Sequence, residues 1–297
     1  MGSGECASND YGAPAYWDAR YSSGAAASGG GEFFDWYQTY TALRPLLRAH
    51  VPAASRVLMI GCGNSRTLLL ILFLISIWAV LSEDMAKDGY EDIVNIDISS
   101  VVIEQMREKH KEIQQLTYMQ MDVRDMSFFG DESFDCVLDK GTLDAMMCAD
   151  DAPDGASKML AEVARLLRPH GIYLLVHHLS SKFTLFLNAN KMIISREFVL
   201  WQITYGAPTE RVPILNLAGC GWSIALYIMP TPEYELKMSK GATQPTMEEV
   251  ALTEDGQLPP DYVLKDPESH FIYVCHKLAA NGANCRDTDP EETSSAN

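Results

Sequence analysis

Apolar residues along this chain come in short continuous runs, separated by segments in which they return every three or four positions. The first run, Arg56-Val57-Leu58-Met59-Ile60, breaks on Gly61-Cys62-Gly63-Asn64. An apolar run bounded by turn residues marks a strand buried on both faces. Asp92 to Ile98 is a second strand and carries the acid Asp97 near its end. Ser99 or Ser100 then caps a helix over Val101–Glu112, with Val101, Val102, Ile103 and Met106 as its apolar stripe. Leu116–Met121 and Ser133–Asp139 are the third and fourth strands. Lys158–Leu167 is a helix; Arg168-Pro169-His170-Gly171 stops it and launches a fifth strand, Ile172–Val176. Trp222–Met229 and His270–Lys277 make two more, joined by a polar loop from Thr231 to Ser269. Ahead of the first strand, Leu43–His50 is a helix that Val51-Pro52 ends.

Alternating strands and helices imply a parallel sheet with helices on both faces, closed by an antiparallel edge from the two late strands. Residues 1–31, rich in Gly, Ser and Ala, are expected to be mobile except around the aromatic motif at 16–21. One domain is expected over 32–278, followed by a disordered polar tail over 279–297.

Two stretches interrupt the pattern. Thr67 to Leu81 is apolar almost throughout, yet shorter than the roughly 18–20 residues a membrane helix needs. It pushes Asp97 to 34 residues beyond Gly63, where an acid about 20 residues on is the usual spacing in a nucleotide-binding strand pair. Removing residues 67–80 restores that spacing. The second stretch, 176–202, shows no clean period. Both read as insertions, and translated introns retained in frame would explain them; a buried helix or a membrane hairpin would also explain the first.

Composition narrows the function. A hydrophobic content of 47% over 297 residues supports a packed core. A net charge of −17 excludes a phosphate-tracking surface, which needs clustered Lys and Arg, so no nucleic-acid partner is expected. The same charge suits a basic protein partner or a cationic cofactor. Seven scattered cysteines with no Cys-x-x-Cys fit reduced thiols, with neither a disulfide frame nor a zinc site. With no basic-then-apolar leader, and Cys6 where a myristoylation signal needs Ser or Thr, a cytoplasmic protein without a membrane partner is expected.

The candidate chemistry gathers at strand ends. Gly61 and Gly63, flanking Cys62 and ahead of Asn64, let the backbone turn sharply and approach a ligand. Asp97, followed by Ile98, can accept both hydroxyls of a ribose. Asp122-Val123 can read an adenine edge with one polar and one apolar contact, and Asp139-Lys140 follow the fourth strand. Each acid reads equally as a turn or cap residue. No phosphate loop, His-Glu-x-x-His or serine nucleophile elbow occurs.

Taken in order, Tyr16-Trp17-Asp18-Ala19-Arg20-Tyr21, Phe34-Asp35-Trp36-Tyr37, Ile60-Gly61-Cys62-Gly63-Asn64-Ser65, Asn95-Ile96-Asp97-Ile98, Met121-Asp122-Val123-Arg124 and Asp139-Lys140-Gly141-Thr142-Leu143-Asp144-Ala145 resemble a class I S-adenosylmethionine-dependent methyltransferase. More narrowly, they resemble the family of the elongation factor 1-alpha lysine and N-terminal methyltransferases. The resemblance covers about residues 15–175 and 203–230, outside both inserts. It implies a Rossmann-like, seven-stranded methyltransferase sheet, S-adenosyl-L-methionine as cofactor, and a protein lysine or N-terminal amine as acceptor, with elongation factor 1-alpha as the candidate substrate. It also implies that Trp17, Tyr21, Trp36, Gly61, Asp97, Ile98, Asp122, Val123 and Lys140 hold the cofactor, so that the aromatic motif becomes a lid. Ser65 stands where the family has a third glycine. No catalytic base is identified. A small-molecule methyltransferase, or an inactive mis-spliced product, remain alternatives.

Overall fold

The computed structural model describes residues 12–22, 40–64, 81–149, 152–178, 207–216, 221–231, 234, 247–267 and 269–278. Its helices are α1 (Pro14–Ser22), α2 (Tyr40–His50), α3 (Leu81–Lys87), α4 (Ser100–Lys109), α5 (Thr142–Met147), α6 (Ala152–Leu166) and α7 (Pro208–Leu215). Its strands are β1 (Arg56–Ile60), β2 (Asp92–Asp97), β3 (Leu116–Gln120), β4 (Phe134–Lys140), β5 (Leu167–His178), β6 (Trp222–Met229), β7 (Glu248–Val250) and β8 (His270–Lys277).

All eight strands join one sheet in the order β3-β2-β1-β4-β5-β8-β6-β7. The first five are parallel, and β8, β6 and β7 continue the sheet antiparallel. Because side chains alternate along a strand, one apolar run supplies two cores. Leu58 and Ile60 face a cluster with Met159, Leu160 and Val163 of α6. Val57 and Met59 face Leu43, Leu46 and Leu47 of α2, Met85 of α3 and Ile103 of α4. The central strands therefore carry apolar side chains on both faces, each buried one worth about 1.5–3 kcal/mol.

The sheet corrects the expected seven strands to eight. β7 is only three residues long, two of them exposed glutamates, so it lacks the apolar alternation by which a strand is read. Its pairing with β6, Leu226 beside Val250, is what makes it a strand. β5 also begins earlier than expected. The register between β4 and β5 slips between Phe134 and Cys136, so Arg168–Gly171 bulge within the strand instead of preceding it. His170 takes φ +64 there, the left-handed region. β5 continues to His178, placing the first three residues of the 176–202 stretch beside β8. The rest of that stretch, the apolar run over 67–80 and the tail 279–297 lie outside the described residues. Helix α6 begins at Ala152 rather than Lys158, with Pro153 in its first turn, where a missing N–H costs nothing. Among the described residues, no helix is long and apolar enough to cross a membrane.

Candidate functional site

Strand register brings the site together. Ile60 stands beside Ile96 on one side and Asp139 on the other, so Gly61, Asp97 and Lys140 leave the sheet at one level. The strand order reverses here: β2 and β3 lie to one side of β1, β4 and β5 to the other. Such a reversal opens a crevice at the carboxyl ends of the strands.

Gly61 and Gly63 take φ +58 and +57, which an L side chain rarely adopts. A Cβ at Gly61 would also run into Thr142, the first residue of α5, whose hydroxyl donates to the Ile60 carbonyl at 3.0 Å. Gly63 is more open; among the described residues a Cβ there would meet only the Tyr21 hydroxyl, at 3.4 Å. Between them the Cys62 N–H donates to the Ile96 carbonyl at 3.0 Å, carrying β1–β2 pairing past the strand end. Burial, then the neighbouring Asp97, pushes the Cys62 thiol well above its ordinary value.

Asp97 is 5% exposed. Its Oδ2 accepts from the Gly63 N–H at 2.9 Å and its Oδ1 from the Ser99 N–H at 3.0 Å. Burial raises its carboxyl above the usual range, and those N–H bonds oppose the rise. Each carboxylate oxygen accepts two bonds, so capacity for ligand hydroxyls remains. Ile98 is half-buried, its carbonyl taking the Gln120 Nε2 at 3.2 Å. Ser99 caps α4 as expected, its hydroxyl oxygen accepting from the Val102 N–H at 3.4 Å.

α1 supplies the aromatics. The rings of Trp17 and Tyr21 stack 5.9 Å apart, and Tyr16 meets Trp17 edge-on at 5.2 Å. Burial, with the charge of Asp97 second, lifts the Tyr21 hydroxyl well above its ordinary value. Asn64, just past the turn, donates to Gln105 Oε1 at 3.1 Å. Trp36 lies outside the described residues, as do residues 65–80, so the first described helix after the turn is α3.

The remaining candidates sit on the flanking strands. The Met121 N–H donates to the Asp97 carbonyl at 2.9 Å, which places Asp122 and Val123 one step from the corner. Burial raises the Asp122 carboxyl, but the Arg124 guanidinium, 2.7 Å away, outweighs it and holds it below the usual range. Arg124 also reaches the Gly12 carbonyl at 3.3 Å. Val123 is buried within the core shared with α6. Lys140 ends β4 beside Val176 and is half-buried. Asp139 turns inward: its carboxylate accepts from the Thr142 N–H at 2.7 Å, the Leu143 N–H at 3.1 Å and the Tyr173 hydroxyl at 2.8 Å. It caps α5, and burial pushes its carboxyl up to about 6.

Trp17, Tyr21, Gly61, Cys62, Gly63, Asn64, Asp97 and Ile98 thus share one corner, while Asp139 supports it from below. Sequence reasoning reached Thr142 and Asp144 only as members of the Asp139–Ala145 motif and did not reach Gln105 or Arg211, whose fully buried Nη2 lies 2.5 Å from Asp144 Oδ1. Gln105 sits on the polar side of the α4 stripe and Arg211 far along the chain, so neither carries a local signal.

Comparison with known proteins agrees with the geometry. Residues 58–175 match the methyltransferase domain model. Over 172 residues the chain is 37% identical to the eEF1A lysine and N-terminal methyltransferase of Bos taurus and 38% identical to that of Homo sapiens; the match takes in 57% of this chain and 22% of each relative. It is 34% identical over 167 residues to EEF1A lysine methyltransferase 4 of Bos taurus, covering 54% of this chain and 58% of that one. The chain therefore spans less than a quarter of the first two relatives. A solved structure from work on the conversion of a disulfide bond into a thioacetal group during echinomycin biosynthesis superposes with a TM-score of 0.54 at 17% identity, over 89% of this chain and 91% of that one, a likeness of fold. With its glycine turn, the acid ending β2 and the match over residues 58–175, the chain carries a region similar to the methyltransferase domain.

Proposed function

We propose that this protein transfers a methyl group from S-adenosyl-L-methionine to a protein lysine or N-terminal amine, in the manner named for its relatives, whose acceptor is eEF1A. The observation that carries the reading is the corner where Asp97 accepts from the Gly63 N–H beneath the aromatic helix α1. The residues fit the cofactor: a positive-φ glycine leaves space above the turn, a buried carboxylate retains acceptor capacity for ribose hydroxyls, and apolar and aromatic side chains border both. Asp97 would hold the ribose, Gly61 to Asn64 the amino-acid end, Ile98, Asp122 and Val123 the adenine, and Trp17, Tyr21, Trp36 and Lys140 the borders of the pocket.

When bound, the sulfonium supplies an electrophilic methyl group. The chain's own part is positioning and exclusion of water, the means by which a bimolecular transfer gains most of its rate. An acceptor ammonium must first lose its proton, because only the neutral amine has a lone pair. Asp139 is an unsuitable base despite its raised pKa, since it is 1% exposed and already receives three donors. The net charge of −17 would attract a basic acceptor protein. A cytoplasmic site of action belongs to the same proposal, supported by the free thiols of Cys62, Cys136, Cys148 and Cys275.

Calorimetric titration of the full chain with S-adenosylmethionine tests the cofactor, and labelled-methyl transfer into cell extract tests the acceptor. Micromolar binding that Asp97→Ala abolishes, with label on protein bands, is the expected result. Unchanged affinity in Asp97→Ala would sink the site assignment, and label found only in small solutes would sink the protein acceptor.

A further inference from the structure

We infer that Asp18, seconded by Gln105, is a positioning residue that fastens the aromatic helix α1 over the Gly63–Asp97 corner, making α1 a lid latched to α4. This rests on the cofactor reading above and adds to it the device that holds the lid.

α1 packs Tyr21 against the core but buries none of its residues fully, so its polar attachments add to its placement. Its polar attachments are specific. Asp18 Oδ1 accepts from the Ser99 hydroxyl at 2.5 Å and lies 3.5 Å from the Val101 N–H. Both donors belong to the start of α4, where free N–H groups and the helix dipole favour a carboxylate. One turn further on, the Tyr21 carbonyl accepts from Gln105 Nε2 at 3.3 Å, while Gln105 Oε1 accepts from Asn64 at 3.1 Å. A single side chain on α4 therefore joins the end of α1 to the loop that follows the glycines.

Ser99 divides its donors between two carboxylates: its N–H goes to Asp97 and its hydroxyl to Asp18. Asp18 and Asp97 repel each other, and the charge of Asp18 is one cause of the raised carboxyl of Asp97. The donors at the start of α4 offset that repulsion. The consequence is geometric: with Asp18 and the Tyr21 carbonyl both tied down, the Tyr21 hydroxyl comes to rest above Gly63, where it borders the space a ligand must enter.

The test uses the full chain and S-adenosylhomocysteine, which occupies a cofactor site without turnover. Affinity by calorimetry and trypsin cleavage at the exposed Arg20 on α1 are read together. Asp18→Ala is expected to weaken binding at least tenfold and to speed cleavage at Arg20 at least as much, with and without ligand. Asp18→Asn keeps an acceptor oxygen for Ser99 and Val101, and is expected to restore both to within about threefold; this rescue separates a latch from a folding defect. Gln105→Ala should give a smaller loss of the same kind. Wild-type affinity and wild-type cleavage in Asp18→Ala overturn the latch while leaving the cofactor site standing. A wild type that binds no S-adenosylhomocysteine overturns the cofactor reading and, with it, the latch's role in positioning.

Discussion

Thr142 fills the space that a side chain at Gly61 would need, and its hydroxyl donates to the carbonyl of Ile60 just before that glycine. The contact pins the first residue of α5 against the turn at the end of β1. The glycine is therefore required twice, by its backbone angle and by its neighbour.

Gly61→Ala should cost about 2 kcal/mol from the left-handed backbone alone, and more from the collision with Thr142. Adding Thr142→Gly should relieve the second part only. Denaturant unfolding of the single and double variants checks this: the pair is expected to be less destabilised than the sum, and strict additivity would contradict the contact.

Asp139 should make the protein more stable in mild acid. Its carboxyl sits at about 6 when folded, against 3.8 as the ordinary value, so the folded state holds a proton that the unfolded chain has lost between those pH values. Its contribution is present below 3.8 and disappears as pH rises through 6, on the order of 2–3 kcal/mol in all. Asp139→Asn should remove that slope from the stability profile, measured by urea unfolding from pH 4 to pH 7. Tyr173→Phe, which deletes a donor to the ionised form, should steepen it.

His110 should act with the opposite sign. It is 4% exposed, bonded through Nδ1 to the Tyr118 hydroxyl at 2.7 Å, with Nε2 3.2 Å from Glu83. Burial, and after it the nearby Lys109, lowers its pKa below 6.5 despite the attraction of Glu83. The unfolded chain then binds the proton more readily, so stability is present above 6.5 and falls as pH drops below it. His110→Gln should flatten that decline, and an NMR titration of the ring should show a midpoint below 6.5.

Asp144 and Arg211 tie α5 to α7 as an ion pair with the guanidinium fully buried. Asp144→Asn removes a counter-charge from a buried guanidinium and should lower stability, by up to about 3–5 kcal/mol. Combining it with Arg211→Met should recover most of the loss, because an apolar side chain of similar length needs no counter-charge. Thermal unfolding of the three variants reads this directly; a double variant no better than Asp144→Asn would mean that the pair does not work as a unit.

Sequence alone determined the parts whose physics is local. The apolar runs of β1 and β2, the Ser99 cap, the glycine turn and the late strands β6 and β8 all follow from periodicity and residue type over a few neighbouring positions. The pairing of that turn with Asp97, the acid at the end of the next apolar run, was legible in the same way. Tertiary structure decided what depends on contacts between distant segments. β7 exists because Val250 pairs with Leu226, 24 positions earlier in the chain, and its own three residues carry no strand pattern. Asp139 read as a site candidate at the end of the fourth strand, and three donors from α5 and β5 make it an interior cap. Asp18 lay within a motif already in view, but only the approach of α1 to α4 shows what its carboxylate holds. A hydrogen bond between residues 81 positions apart leaves no trace in local patterning, because neither partner's type or spacing depends on the other's.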